Sequence, residues 1–192
     1  MPYVYQLKIT IQDIEPPIWR RIIIPSNITF AKLHKIIQAA FGWQDYHLYN
    51  FDFQDFVIAI PTSDWAPGEL YGVPEKNPKN TKVDQLFKEG ETFIYEYDLG
   101  DSWMHDILIE KILEPEKEVH CPVCIDGERH RPPEDVGGTW SYITFLEAIS
   151  DKNHEEYNDM LVWAEKDTGG RRFDPEYFYV KEVNRALSKI KC

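Results

Sequence analysis

Tyr3, Tyr5, Leu7, Ile9 and Ile11 alternate with Val4, Gln6, Lys8, Thr10 and Gln12, and this period of two constrains the fold more than any other feature of the chain. It puts one apolar face on a strand. Asp13-Ile14-Glu15-Pro16-Pro17 breaks the run, and Ile18 to Ile24 is a second β-rich segment, so the opening reads as a hairpin. At Thr29 the period changes. Phe30, Leu33, Ile36, Ile37, Ala40 and Phe41 fall at helical spacing, with Thr29 placed as the N-cap and Gly42 as the stop.

The strand pattern returns at His47 to Gln54 and Phe56 to Ile60, and residues 61–80, rich in Pro, Gly and Asn, read as a long surface loop. A short helix is expected around Val83 to Lys88. Glu91 to Asp98 and Ser102 to Ile112 form a second hairpin, expected at the sheet centre, with Gly100 supplying the positive φ of its turn. Residues 114–138 have neither period and read as irregular. Three helices are then expected, at 140–149, 154–164 and 175–190, the last with Asp174 at its cap and Pro175 in its first turn. Strands early and helices late give an α+β fold. It is an antiparallel sheet built from hairpins with helices packed on it, one domain over 1–192, with the 61–80 loop able to join two sub-lobes.

The chain has 192 residues, 43% hydrophobic and 14% aromatic, which suits a globular core. Its formal charge of −12 argues against non-specific nucleic-acid binding, because that affinity comes from Lys and Arg displacing counterions. Arg20-Arg21, Arg129 to Arg131 and Arg171-Arg172 are the candidates for a local basic patch. The first residues lack the basic and apolar regions of a signal peptide, no run approaches the roughly 18 apolar residues of a membrane span, and three cysteines do not make a disulfide framework. A cytoplasmic protein with no membrane contact is expected, its partner a protein or small molecule.

Three constellations could carry chemistry. In the first, Asp98 and Asp101 flank a turn ahead of Trp103 and His105, which share a strand face; such a group could bind a metal or move a proton, while the structural alternative is Asp bonding turn amides and a packed His. In the second, Cys121 and Cys124 form a Cys-x-x-Cys pair with His130 nearby, a zinc half-site that His105 or Asp126 would have to complete. In the third, two prolines and two glycines hold Glu134 and Asp135 ahead of a helix, where the Gly137 and Gly138 amides could receive an anion. No nucleophile elbow or His-Glu-x-x-His motif is present.

The order Pro16-Pro17-Ile18-Trp19-Arg20-Arg21, Phe30 to Trp43, His47-Leu48, Tyr97 to His105, Cys124 to Gly127 and Pro132 to Gly138 resembles the plasmid pRiA4b ORF-3-like family over nearly the whole chain. The resemblance implies a mobile-element lineage, with some relatives labelled resolvases or found beside a LexA-type DNA-binding domain. This chain has no serine-recombinase pattern and no helix-turn-helix extension, so the resolvase label does not transfer. The family-like positions include Trp19, Arg20, His34, Trp43, His47, Gly127 and His154 beside the residues of the three constellations. Relatives often have cysteines where this chain has Arg131 and Val136, which weakens zinc binding here.

The leading expectation is a binding or adaptor module with a cleft lined by Asp98, Asp101, Trp103, His105, Glu134 and Asp135. The first alternative is a metal-dependent, phosphodiesterase-like hydrolase in which Asp101, Glu134 and Asp135 hold Mg²⁺ or Mn²⁺ and His105 is general base. The second is an interaction domain braced by zinc on Cys121, Cys124 and His130.

Overall fold

The computed structural model describes residues 3–61, 71–114 and 122–192. Eight strands and four helices build an α+β fold: β1 (Val4–Ile11), β2 (Trp19–Pro25), α1 (Phe30–Phe41), β3 (Tyr49–Asp52), β4 (Val57–Ala59), β5 (Glu75–Lys76), β6 (Thr92–Tyr97), β7 (Trp103–Leu113), β8 (Val123–Glu128), α2 (Gly138–Ser150), α3 (Tyr157–Asp167) and α4 (Val180–Leu187). The strands form one open sheet in the order β5-β4-β3-β6-β7-β1-β2-β8, antiparallel except where β5 joins β4. The β6–β7 hairpin lies at the middle, as the sequence pattern requires.

The period-two face of β1 is the floor of the core: Tyr5, Leu7, Ile9 and Ile11 are buried there. Helix α1 covers this floor with Phe30, Leu33, Ile36, Ile37 and Phe41. Each such side chain contributes up to about 1.5–3 kcal/mol from burial. Phe30 anchors an aromatic cluster, meeting Phe51, Phe53, Phe87 and Phe93 edge to face. Thr29 Oγ1 accepts from Lys32 N, and Gly42 at φ 84° ends the helix in the left-handed conformation that glycine adopts without strain.

Four expectations need correction. The 114–138 stretch contains a strand, β8, which pairs with β2 across a bulge between Arg21 and Ile22. Its burial follows no alternation, with Cys124 and Gly127 inside and their neighbours exposed, so a period-two search misses it. The 61–80 region contains β5, two residues long. The expected helix at 83–88 is a single 3₁₀ turn, Val83–Gln85. The last helix starts at Val180 instead of 175, because Asp174 Oδ1 accepts from Glu176 N in a local turn and the aromatic run Tyr177-Phe178-Tyr179 precedes the helix.

Helix α4 packs on α1 and on β8. There the Asn184 amide accepts from Cys124 N at 2.7 Å and donates to Cys124 O at 2.8 Å, bonding both backbone groups of that edge residue.

Arg20 and Arg131, one from each of two arginine clusters, serve the interior. Arg20, 3% exposed, donates to the carbonyls of Trp19, Ala40, Glu128 and Arg129. Arg131 makes a bidentate pair with Asp167 at 2.9 and 3.0 Å and lies over the Trp43 ring.

Candidate metal centre

The β6–β7 turn, the loop after α1 and the loop before α2 meet at one place. Asp98 enters from the turn at φ 59°, and its Oδ1 accepts from Gly100 N at 3.0 Å and Asp101 N at 3.3 Å. The positive φ of this turn thus falls on Asp98 and on Ser102 (φ 55°), not on Gly100. Turn bonding uses only one oxygen of Asp98. The other, Oδ2, lies 3.5 Å from His47 Nε2.

Glu134 and Asp135 arrive from the other side. Arg131 and Asp167 fix their loop, since Asp167 Oδ1 also accepts from Glu134 N at 3.3 Å and from Gln44 Nε2 at 2.8 Å. Asp135, at φ 58°, puts Oδ1 3.1 Å from His47 Nε2, and Glu134 Oε2 stands 3.9 Å from the same nitrogen. Three carboxylates therefore face one imidazole nitrogen. None makes a hydrogen bond with it: His47 Nε2 and Glu134 Oε2 are both buried without a hydrogen-bond partner among the described residues. Backbone strain at two of the converging residues, costing of order 1–3 kcal/mol each, is of the kind that gathers at functional sites.

Glu134 is only 4% exposed. Its Oε1 accepts from Gln44 N at 2.6 Å and from the Tyr97 hydroxyl at 3.4 Å, while Oε2 points at His47 with nothing to satisfy it. Burial raises its pKa above the usual carboxylate value, against the opposing pull of the Gln44 amide and Arg131. The Tyr97 hydroxyl is held neutral by burial and by the Glu134 charge.

His47, Asp98 and Asp135 each offer one ligand atom, and all three lie within 4.8 Å of one another. Ligands about 2.1 Å from a shared ion stand roughly 3–4.2 Å apart, so closing by about half an ångström would bring this trio onto a cation. An imidazole with carboxylates suits Mn²⁺ or Zn²⁺ better than an all-oxygen ion such as Ca²⁺. Asp135 also borders a groove of about 650 Å³ between α2 and α3, walled by Trp140, Met160 and Trp163.

The other residues expected in the cleft stand behind it. Asp101 Oδ2 accepts from Gly137 N at 2.9 Å, so the anion received at the head of α2 is this side chain. A Cβ on Gly138 would meet Asp101 O at 2.7 Å, so the turn and the helix start need that glycine to approach so closely. Trp103 and His105 do share a strand face, and it is the buried one. His105 is fully enclosed, its Nδ1–H donates to Trp103 O at 2.8 Å and its Nε2 accepts from Trp43 Nε1 at 3.3 Å. Burial lowers its pKa to about 4, so it is a neutral packing residue with both nitrogens occupied and no access to a substrate. His47 takes the place that sequence reasoning gave to His105.

Of the expected zinc ligands, Cys121 lies outside the described residues. Cys124 is buried beneath α4, with Sγ donating to Asp126 O. His130 donates from Nδ1 to Arg131 O and meets Phe173 edge to face. Neither joins a group of three metal-ligating side chains among the described residues.

The sequence pattern of the plasmid pRiA4b ORF-3-like proteins matches residues 3–182. The chain belongs to that family. The match spans every residue of the His47 cluster. Among its relatives is the uncharacterized protein y4hQ of Sinorhizobium fredii, 33% identical over 189 residues that cover 97% of this chain and 92% of the relative. The crystal structure of a protein of unknown function from Methanosarcina mazei Go1 superposes with a TM-score of 0.82 at 39% identity, covering 95% of this chain and 98% of that one. The architecture described here is thus also found in an archaeal protein.

Proposed function

We propose that this pRiA4b ORF-3-like chain is a binding module centred on a divalent cation, Mn²⁺ or Zn²⁺, held by His47, Asp98 and Asp135. Positions the protein leaves open on the ion take an oxygen-rich ligand group, and the groove beside Asp135 accommodates the rest. The observation that carries the reading is the orphaned pair: a buried imidazole nitrogen and a buried carboxylate oxygen 3.9 Å apart, each without a hydrogen-bond partner among the described residues. Buried polar groups are rarely left unpaired, and a cation on His47 Nε2 would satisfy the imidazole while a water on the ion reaches Glu134 Oε2. The module acts in the cytoplasm as an adaptor of mobile-element lineage, with a protein or small molecule as its partner.

The test is thermal melting of metal-stripped protein with Mn²⁺, Zn²⁺ or Mg²⁺. A ligand at a hundredfold excess over its dissociation constant adds about 2.7 kcal/mol. For a chain of this length that is a rise of roughly 5–10 °C. The rise is expected with Mn²⁺ or Zn²⁺ and lost in His47→Ala and Asp98→Asn. No shift with any metal, or an undiminished shift in both variants, overturns the proposal.

A second reading, hydrolysis, rests on Glu134. With an ion held by His47, Asp98 and Asp135, Glu134 Oε2, 3.9 Å from His47 Nε2, would be placed to take a proton from a water on that ion. Mn²⁺-dependent cleavage of bis-p-nitrophenyl phosphate that is lost in Glu134→Gln while the ion still binds is the expected result. Absence of turnover with the ion bound leaves the binding module alone.

A further inference from the structure

We propose a second site that needs no metal: the cavity between the α2–α3 pair and the segment following α3, which binds a small organic anion carrying an apolar body. This cavity, about 680 Å³, is lined by Arg129, Arg171 and Arg172 together with Leu146, Leu161 and Phe173. Three guanidinium groups around an apolar floor are unexpected in a chain of net charge −12.

Arg20, Arg21 and Arg131 are matched to acceptors. Arg20 is saturated by carbonyls, Arg21 pairs with Glu110, and Arg131 with Asp167. Arg129 commits Nε to Glu176 and Nη1 to Pro16 O. Arg171 differs. Its guanidinium lies 3.5 Å over the Tyr177 ring, and Nη1 is buried without a hydrogen-bond partner among the described residues. Arg172 donates from Nη2 to the Tyr157 hydroxyl.

A buried guanidinium nitrogen with no acceptor is costly, and an anionic oxygen arriving from the cavity removes that cost. The acid that lines the cavity, Asp174, is engaged locally, its Oδ1 accepting from Glu176 N. Tyr177 fixes the plane of Arg171, so the fork is oriented before the ligand arrives. Leu146, Leu161 and Phe173 then take up the apolar part. The head group is a carboxylate or a phosphate monoester, since a guanidinium fork fits both.

The test is isothermal titration of the full chain in EDTA with octanoate, phenyl phosphate and inorganic phosphate, so that failure of the metal reading does not affect it. Octanoate or phenyl phosphate is expected to bind, and whichever binds names the head group. Inorganic phosphate should bind at least about tenfold more weakly, and Arg171→Gln should weaken the organic anion by about tenfold or more while the Mn²⁺ or Zn²⁺ response persists. Arg172→Gln, at an exposed position, gives the same comparison with a smaller loss should Arg171→Gln fail to fold. The proposal is overturned if neither organic anion binds at millimolar concentration. Inorganic phosphate binding equally well, or unchanged affinity in both arginine variants, overturns it too.

Discussion

At Glu134 burial and hydrogen bonding act in opposite directions, and burial prevails. A carboxyl whose pKa is raised in the folded state contributes stability below its unfolded pKa and loses it as pH rises through the folded value. Where it is ionised, the group therefore costs the metal-free protein stability. Glu134→Gln keeps the oxygen that accepts from Gln44 N and turns an NH₂ toward His47 Nε2. We expect its metal-free melting point to rise relative to the wild type as pH is raised through the range in which Glu134 ionises. A fall would contradict the assignment. Asp98, Glu134 and Asp135 were legible in the sequence because turn and Pro-Pro/Gly-Gly chemistry mark where a carboxylate is held. His47 is family-like in the sequence, but nothing there places it at the site, because it opens a segment whose pattern reads as strand. His105 was misread because alternation shows which residues share a face without showing which face is buried.

Strands with strict alternation and the helix with both caps were legible at the scale of elements, since each carries its own local signal. β8 does not, because neighbours define it. A Cβ on Gly127 would lie 2.8 Å from Phe178 Cζ and 2.8 Å from Trp19 O, so the strand fits only where a residue has no side chain. Trp19 O belongs to the backbone of β2 and cannot turn aside. Gly127→Ala is expected to cost about 1–3 kcal/mol, read as a lower urea midpoint with an unchanged slope. An unaltered midpoint would mean that β8 and the Phe178 ring separate freely. The start of α4 was misplaced for a related reason: Asp174 and Pro175 form a plausible cap locally, but the Asp174 side chain closes a turn instead.

Across the whole molecule, two buried histidines and one half-buried histidine couple stability to pH. Burial lowers the pKa of His34, His105 and His130 each to about 4; for His34 it outweighs the bond to Asp45. A histidine with a lowered folded pKa is neutral in the native state, so its contribution is complete above its unfolded pKa of about 6.5 and is lost as pH falls toward 4. Each adds up to about 1.4 kcal/mol per pH unit to that slope, and Glu134 opposes it in part. The urea midpoint should fall steeply between pH 6.5 and 4.5, and less steeply in His105→Gln; a flat profile would contradict this. No helix among the described residues is long and apolar enough to cross a membrane.

The Asn184 amide stands where the backbone of a ninth strand would stand, and it occupies both bonding groups of Cys124. Val123 and Ile125 on either side are exposed. The last helix thus covers this margin of the sheet. Cutting the chain after Tyr179 would uncover a sticky margin on which a second molecule could add its own strand, so the shortened protein should form thioflavin-positive fibres while the full chain stays dispersed.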